Sequence, residues 1–377
     1  MLNKPSSILC LHQGSELYGS DRSFLAAVET FSDAGLKQEV ILPANGLLAL
    51  EVGALNNVDL SFYAKGILRK NDLKRKPITF FYNTLLAVFF YIKRFRNHPI
   101  IYINTVVMFS ALLAACFYRF SSKRIICHVR EIPAAWQLHV FRLLFNISGV
   151  ELVFNSNATK QAFGIAGRVI YNGVAKASAP EIQLSIDDGS DVGSAKKLLL
   201  IGRINDWKGQ FFLVDTLHGL PVDKRSQLKV RIVGSPFEGY EYLTGELKRK
   251  VEVFGLSNIV ELIPFCQDPS AHYRWADYVI VPSILPEPFG RVAIEAFSYA
   301  KPVLAANHGG LVEIVENGSS GFLFPPADEK ALAAQIASLL DITPAQYSSL
   351  SQNASARYEN LFSIEGYRAN LLSLLTS

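Results

Sequence analysis

Two doubly wound α/β domains joined by a linker are what this chain predicts, and three observations carry that expectation. Short apolar runs suited to buried strands alternate with longer helical stretches through both halves. In each half the first strand leads into a glycine-bearing loop and then a helix: Ser7–Leu11 before Gly19, and Lys197–Ile201 before Gly202 and Gly209. Between the halves, Ala175–Lys197 is rich in Ser, Ala, Gly and Asp with almost no periodicity, which is linker composition. A length of 377 residues suits two domains of ordinary size, and 50% hydrophobic content excludes global disorder.

The expected domains are residues 1–174 and 197–360, with 175–196 between them and a last helix of about 361–377 returning to the first domain. In the first half Ser7–Leu11 reads as a buried strand. The loop from His12 to Ser20 follows, then a helix with Phe24, Leu25, Val28 and Phe31 on one face and Ser20 or Asp21 as its cap. A phosphate-presenting loop and a plain β–α turn remain equal readings there, because no full glycine fingerprint is present. Glu39–Leu42, Ile100–Ile103, Arg124–His128, Glu151–Phe154 and Arg168–Tyr171 read as further strands. Leu60–Leu68 is ambiguous, and Asn104-Thr105 is the expected cap of a helix running through Phe117.

Lys65, Arg69, Lys70, Lys74, Arg75 and Lys76 form a basic cluster ahead of Thr79–Ile92, which is rich in Phe, Tyr and Leu and is followed by Lys93, Arg94 and Arg96. One reading is a surface on anionic lipid headgroups through Lys65–Arg96. The other is a buried helix with solvated cations at its ends, and both can hold for different faces. His128-Val129-Arg130-Glu131 ends a strand, where parallel sheets bind ligands. Arg130 and Glu131 have the alternative of pairing with each other.

The second half opens with strand Lys197–Ile201, then Gly202-Arg203 and Lys208-Gly209 ahead of a helix from Gln210. Two cations beside a helix N-terminus suit a pyrophosphate. A Walker loop is excluded, since the glycines are too few and no Ser or Thr follows Lys208. Lys229–Val233 ends at the Gly234-Ser235 turn, and Ile259–Ile263 ends at Pro264-Phe265. Between them Tyr240–Phe254 is amphipathic. Asp268–Trp275 is a short helix, Asp277–Val281 a strand, Gly318–Phe324 a strand and Ala327–Leu340 an amphipathic helix.

The stretch Leu285–Ala300 organises the rest. Pro286 and Pro288 forbid a helix before about Phe289, so Glu287 falls in a loop and Glu295 in the second turn of the following helix. The amides of Phe289, Gly290 and Arg291 then carry partial positive charge toward the same space. Anion-binding amides flanked by two hydroxyl-accepting carboxylates suit a ligand with both phosphate and polyol, such as a sugar nucleotide.

Glu287 through Glu295, followed by KPVLAANHGGLVEIVENGSSGFLF, resembles the C-terminal half of the family 4 retaining glycosyltransferases of the GT-B fold. The resemblance is strongest from Leu198 to Leu340. It implies two Rossmann-like domains facing a central cleft, with Tyr171-Asn172-Gly173 as the hinge. It implies that Arg203 and Lys208 hold the donor diphosphate, that Glu287 accepts from the donor sugar's hydroxyls and Glu295 from the ribose. It implies that His128 faces the sugar, Gly19 abuts the phosphate, Gly234 contributes to the donor site, and Phe265 packs near the nucleobase. Catalytic candidates are therefore Glu287, His128, Arg203 and Lys208.

The expected activity is retaining, metal-independent transfer of a sugar from a nucleotide diphosphate donor to a hydroxyl acceptor. The acceptor is expected to be a lipid-linked or surface polysaccharide precursor such as that of lipopolysaccharide. No cofactor beyond the donor is expected. A sugar-nucleotide epimerase of the same architecture and a non-catalytic membrane-associated sugar-nucleotide binding protein are the alternatives. The net charge of +4 allows phosphate-bearing partners without indicating a nucleic-acid binder. Cys10, Cys116, Cys127 and Cys266 form no CxxC pair; Cys10 and Cys127 fall in strand-like runs and read as buried thiols, and no metal site is expected. The N-terminus has no secretory apolar region, and no run reaches the roughly 20 apolar residues that span a bilayer. A cytoplasmic protein, peripheral on the inner face of the plasma membrane if the basic segment touches lipid, is the expectation.

Overall fold

The structure is a computed structural model that describes residues 7–68, 76–177 and 195–376. Arg69, Lys70, Lys74 and Arg75 of the basic cluster, and residues 178–194 of the linker, lie outside the described residues. The chain divides into two compact units, Met1–Gly173 with Ile364–Ser377, and Val174–Ser363.

The first unit is built on strands β1 (Ser7–Leu11), β2 (Lys37–Leu42), β3 (Val58–Phe62), β4 (Ile100–Asn104), β5 (Arg124–Val129), β6 (Glu151–Phe154) and β7 (Arg168–Val169). They pair in the order β3-β2-β1-β4-β5-β6-β7, all parallel. Helices cover both faces, which is why the central strands are continuous apolar runs: Ile8, Leu9, Cys10 and Leu11 are all fully buried. One face packs Tyr91, Phe95, Leu112, Phe141 and Phe145. The other packs Phe24, Phe31, Val52 and Leu371. Helix Ile364–Thr376 lies on helix Gly19–Asp33 there, with the Tyr367 hydroxyl donating to Ser23 O at 3.3 Å.

The second unit holds β8 (Lys196–Ile201), β9 (Leu228–Val233), β10 (Val260–Ile263), β11 (Tyr278–Val281), β12 (Val303–Ala306) and β13 (Gly321–Phe324). Their order is β10-β9-β8-β11-β12-β13, again all parallel. In both sheets the chain starts at a central strand, winds one way, then returns to wind the other. The reversal falls between β1 and β4 in one unit and between β8 and β11 in the other. At such a point the connections diverge and leave a crevice at the carboxyl ends of the strands.

One local expectation needs correction, and two helices lie outside what the sequence pattern indicates. Asn104-Thr105 does not cap a helix: Thr105 takes a left-handed backbone (φ 85°) and the helix starts only at Phe109. Asn104 is spent instead on buried polar partners described below. Helix Ala135–Ser148 was not expected, because apolar side chains occupy both its buried face (Phe141, Leu144, Phe145) and its exposed face, which blurs the 3.6-residue period. Helix Pro344–Arg357 was also missed; only Leu350 and Ala354 are buried in it. Its readable signal was the start, Thr343 with Gln346 three residues on and Pro344 between.

Candidate functional site

In the second unit the carboxyl ends of β8, β9 and β10 are laced by backbone hydrogen bonds. Gly202 N–H donates to Val233 O (2.9 Å), Gly234 N–H to Ile263 O (2.9 Å), and Phe265 N–H to Ser235 Oγ (3.1 Å). This brings Arg203, Gly234 and Phe265 to one edge of the sheet. Gly234 is required by contact: a Cβ there would lie 1.9 Å from Gly202 O, at a φ of 153°. The Arg203 guanidinium lies over the Phe237 ring, 3.8 Å from its centroid.

The loop after β8 is shaped by Asn205, whose Oδ1 accepts from the N–H groups of Trp207 (3.1 Å) and Lys208 (2.8 Å). Gly209 then enters helix Gln210–Gly219 at φ 86°, so close to the β11 loop that a Cβ would sit 2.0 Å from Pro282 O. Ile284 N–H donates to Trp207 O at 2.7 Å. The two loops on either side of the chain reversal are thus one packed structure.

That packing sets Lys208 against Glu287, with Nζ 2.6 Å from Oε1. Ser283 Oγ donates to the same oxygen at 2.6 Å. Glu287 is only 4% exposed, while the Lys208 side chain keeps 25% exposure. Oε2 of Glu287 accepts from none of the described residues, so half of the carboxylate has hydrogen-bonding capacity left. The main chain at Glu287 is held as well, its O accepting from Gly310 N–H at 2.8 Å. His308 Nε2 bonds Ser283 O at 2.7 Å. A carbonyl only accepts, so Nε2 carries a proton, and Nδ1 is buried without a partner.

Gly290 caps helix Arg291–Ser298 from a left-handed backbone (φ 113°). Phe289 is buried, its ring edge-on to Phe362 at 6.1 Å, so its side chain anchors the loop while the helix start carries the amide dipoles. Glu295 lies one turn in. Its oxygens accept from Arg291 Nε at 2.8 Å and from the Tyr273 hydroxyl at 2.7 Å. Burial, then the Glu295 carboxylate, hold the Tyr273 phenol well above its ordinary range, so it remains a donor.

In the first unit the predicted residues sit on a buried polar chain. Asp21 Oδ2 accepts from Tyr18 N–H at 3.1 Å, ahead of the exposed Gly19, and Asp21 Oδ1 accepts from His12 Nε2 at 2.8 Å. Asn104 Nδ2 donates to His12 Nδ1 at 2.8 Å, across the reversal between β1 and β4. Arg130 donates from Nε to Asn104 Oδ1 and from Nη1 to Asn172 Oδ1, the latter at 2.5 Å. It therefore spends two of its guanidinium nitrogens on amides, and Glu131 accepts from the N–H groups of Val106 (3.4 Å) and Arg130 (3.3 Å).

His128 is wholly buried at the end of β5. Its Nδ1 lies 2.7 Å from the Tyr102 hydroxyl and 3.3 Å from Arg130 Nη2. Arginine only donates, so Nδ1 accepts and Nε2 carries the proton, with no partner. Burial, then the Arg130 charge, hold the imidazole well below its ordinary range, and it is neutral at pH 7. Among the described residues no group of three or more His, Cys, Asp or Glu side chains is placed to hold a metal ion.

Residues 186–357 match the family model described as glycosyl transferases group 1. This part of the chain is similar to the group 1 glycosyltransferases. A D-inositol 3-phosphate glycosyltransferase 2 of Catenulispora acidiphila is 35% identical over 165 residues, which are 42% of this chain and 38% of that protein. A lipopolysaccharide 1,2-N-acetylglucosaminetransferase of Salmonella typhimurium is 34% identical over 148 residues, 37% of this chain and 36% of that one. The chain thus spans well under half the length of these curated relatives. Among solved structures, Anabaena Alr3699/HepE in complex with UDP and glucose superposes with a TM-score of 0.79 at 25% identity, covering 99% of this chain and 100% of that one. The lipopolysaccharide outer core galactosyltransferase WaaB (TM-score 0.70, 14% identity, 98% of each chain) shares the fold. The fold is GT-B, and the Lys208–Glu287 pair lies inside the stretch that matches the group 1 glycosyltransferase family.

Sequence reasoning did not select Ser283, His308, Asn104 or Tyr102. His308 was signalled by its place in the Asn307-His308-Gly-Gly turn after a strand. The others look like ordinary strand-end polar residues until the sheet order sets them beside a partner.

Proposed function

We propose that the chain is a retaining, metal-independent glycosyltransferase that moves a sugar from a nucleotide diphosphate donor to a hydroxyl of a lipid-linked or surface polysaccharide precursor. The observation that supports this reading most is the Lys208–Glu287 pair, set at the chain reversal between β8 and β11 beside the start of helix Arg291–Ser298. Such a place collects a cation, amide dipoles and a carboxylate with one open oxygen, as a sugar diphosphate requires.

In this reading Arg203, Lys208 and the helix start stabilise the charge that grows on the diphosphate as its bond to the anomeric carbon breaks. Glu287 Oε2 accepts from a sugar hydroxyl and Glu295 from the ribose. Gly234 and Phe265 line the donor. The acceptor oxygen bonds the anomeric carbon on the face the phosphate leaves, and its proton passes to the departing phosphate oxygen. The relative's name supports a lipopolysaccharide-type acceptor, and the complex of Alr3699/HepE with UDP and glucose makes a UDP-sugar the first donor to try.

The test is thermal-shift screening of UDP-, GDP-, ADP- and dTDP-sugars, followed by transfer from the best donor to a bacterial lipid extract with and without EDTA. Transfer with retained anomeric configuration that survives EDTA is expected. Donor turnover without acceptor would establish the epimerase, and binding with no transfer the non-catalytic alternative.

A further inference from the structure

The first unit carries an apolar outer face that its own fold does not cover. Helix Pro77–Phe95 buries Phe80, Thr84, Ala87, Val88, Tyr91 and Phe95 against the sheet. Yet Ile78, Phe81, Tyr82, Leu85 and Phe89, which repeat at helical spacing on another side, are 85%, 65%, 60%, 56% and 63% exposed. Helix Ala135–Ser148 does the same with Trp136, Val140, Leu143 and Ile147. Both pack on the shorter helix Phe109–Ala115 and share one core on one face of the sheet. That middle helix is mostly buried, so its neighbours stand proud of it. Phe117 and Phe120, 72% and 95% exposed, follow at its end. A soluble face of this kind would be polar; a helix apolar on two sides is otherwise buried or lies in a membrane.

Charge identifies the occupant. From Lys76 to Val150 the chain holds nine lysines and arginines against Glu131 alone; Arg94 and Arg124 pair with Glu39 and Glu151 and Arg130 is buried, which leaves Lys76, Lys93, Arg96, Arg119, Lys123 and Arg142 to charge this side. Arg119 donates to Asn146 O and Ile147 O at the end of one projecting helix. Lys123 donates to Arg96 O and His98 O at the end of the other. Both bond carbonyls, which leaves their charge uncompensated; Arg119 lies over the Phe120 ring and Lys123 over the Tyr118 ring, with Lys93 and Arg96 exposed nearby in sequence. Aromatic and aliphatic side chains rimmed by cations, with no acid on either helix, match an anionic bilayer surface. No helix among the described residues is long and apolar enough to cross a membrane.

We infer that this two-helix face lies on anionic lipid, the side chains of helices Pro77–Phe95 and Ala135–Ser148 entering the headgroup–acyl boundary together. The inference does not depend on the transferase reading, since it concerns a surface and not the donor site.

Co-sedimentation of the full chain with vesicles of phosphatidylcholine, with and without phosphatidylglycerol, tests it. Binding to the anionic vesicles is expected, with little to neutral ones. Phe89→Ser with Leu143→Ser, and separately Lys93→Glu with Arg96→Glu, should each lower the partition at least about tenfold, as roughly fivefold per cation implies. Melting and donor thermal shift should stay unchanged. A second readout needs no disruptive variant: brominated lipid should quench tryptophan fluorescence in the wild type, and much less in Trp136→Phe. Equal binding to neutral and anionic vesicles, no quenching difference at Trp136, or a dimer that dissociates on Phe89→Ser and ignores vesicles would each overturn the inference.

Discussion

Replacing Lys208 by alanine removes one member of a close ion pair and leaves the other where it is. Glu287 is 4% exposed and keeps only the Ser283 hydroxyl on Oε1. Losing one partner of a fully buried pair costs about 3–5 kcal/mol, and the 25% exposure of the Lys208 side chain brings the expectation down to about 1–3 kcal/mol. For a unit of this size that is a fall in melting temperature of roughly 3–10 °C. The effect on turnover is separate. If Lys208 balances charge on the departing diphosphate, transfer should drop by about 10²–10³-fold, the usual loss when one such donor is removed. Calorimetry and a radiolabelled transfer assay on the same preparation read the two quantities. Ser283→Ala is the control: it removes a hydrogen bond to the same oxygen but no charge, costing about 1 kcal/mol and less than about tenfold in transfer. A folded Lys208→Ala protein with transfer within about threefold of wild type would refute the argument, because a cation on the leaving group cannot be that dispensable.

Gly209→Ala should destabilise the second unit by about 2–4 kcal/mol by denaturant titration, since its Cβ would lie 2.0 Å from Pro282 O at a φ of 86°. His128 is held well below its ordinary value of 6.5, so below that pH the unfolded chain binds a proton that the folded one refuses. Stability is thus full above about pH 6.5 and falls toward pH 5 by up to ~1.4 kcal/mol per pH unit from this group; in His128→Asn the melting temperature should vary less over that range. Arg130→Met should cost about 2 kcal/mol in chemical denaturation, because Asn104 and Asn172 lose their donor while a desolvated charge is also removed.

The strand–loop–helix units were legible because a buried parallel strand must be apolar along its length and a loop at its carboxyl end must carry polar and glycine residues. Lys229–Val233 and Gln210 fell within a residue of their observed positions for that reason. Helix Ala135–Ser148 was not, because a face meant to stay apolar outside the core erases the period that marks a helix.

What the sequence determined alone is local: which segments are strands, where Pro286 and Pro288 delay a helix, and that Arg203, Lys208, Glu287 and Glu295 belong to loop and helix starts. Tertiary structure decided which of them meet. Lys208 and Glu287 are 79 positions apart, and only the order that places β8 beside β11 brings them to 2.6 Å. It likewise buried His128 against Tyr102 and Arg130, and turned Glu295 toward Arg291 and Tyr273. Periodicity along the chain encodes which face of an element is buried; strand order, a property of the whole sheet, chooses the partner.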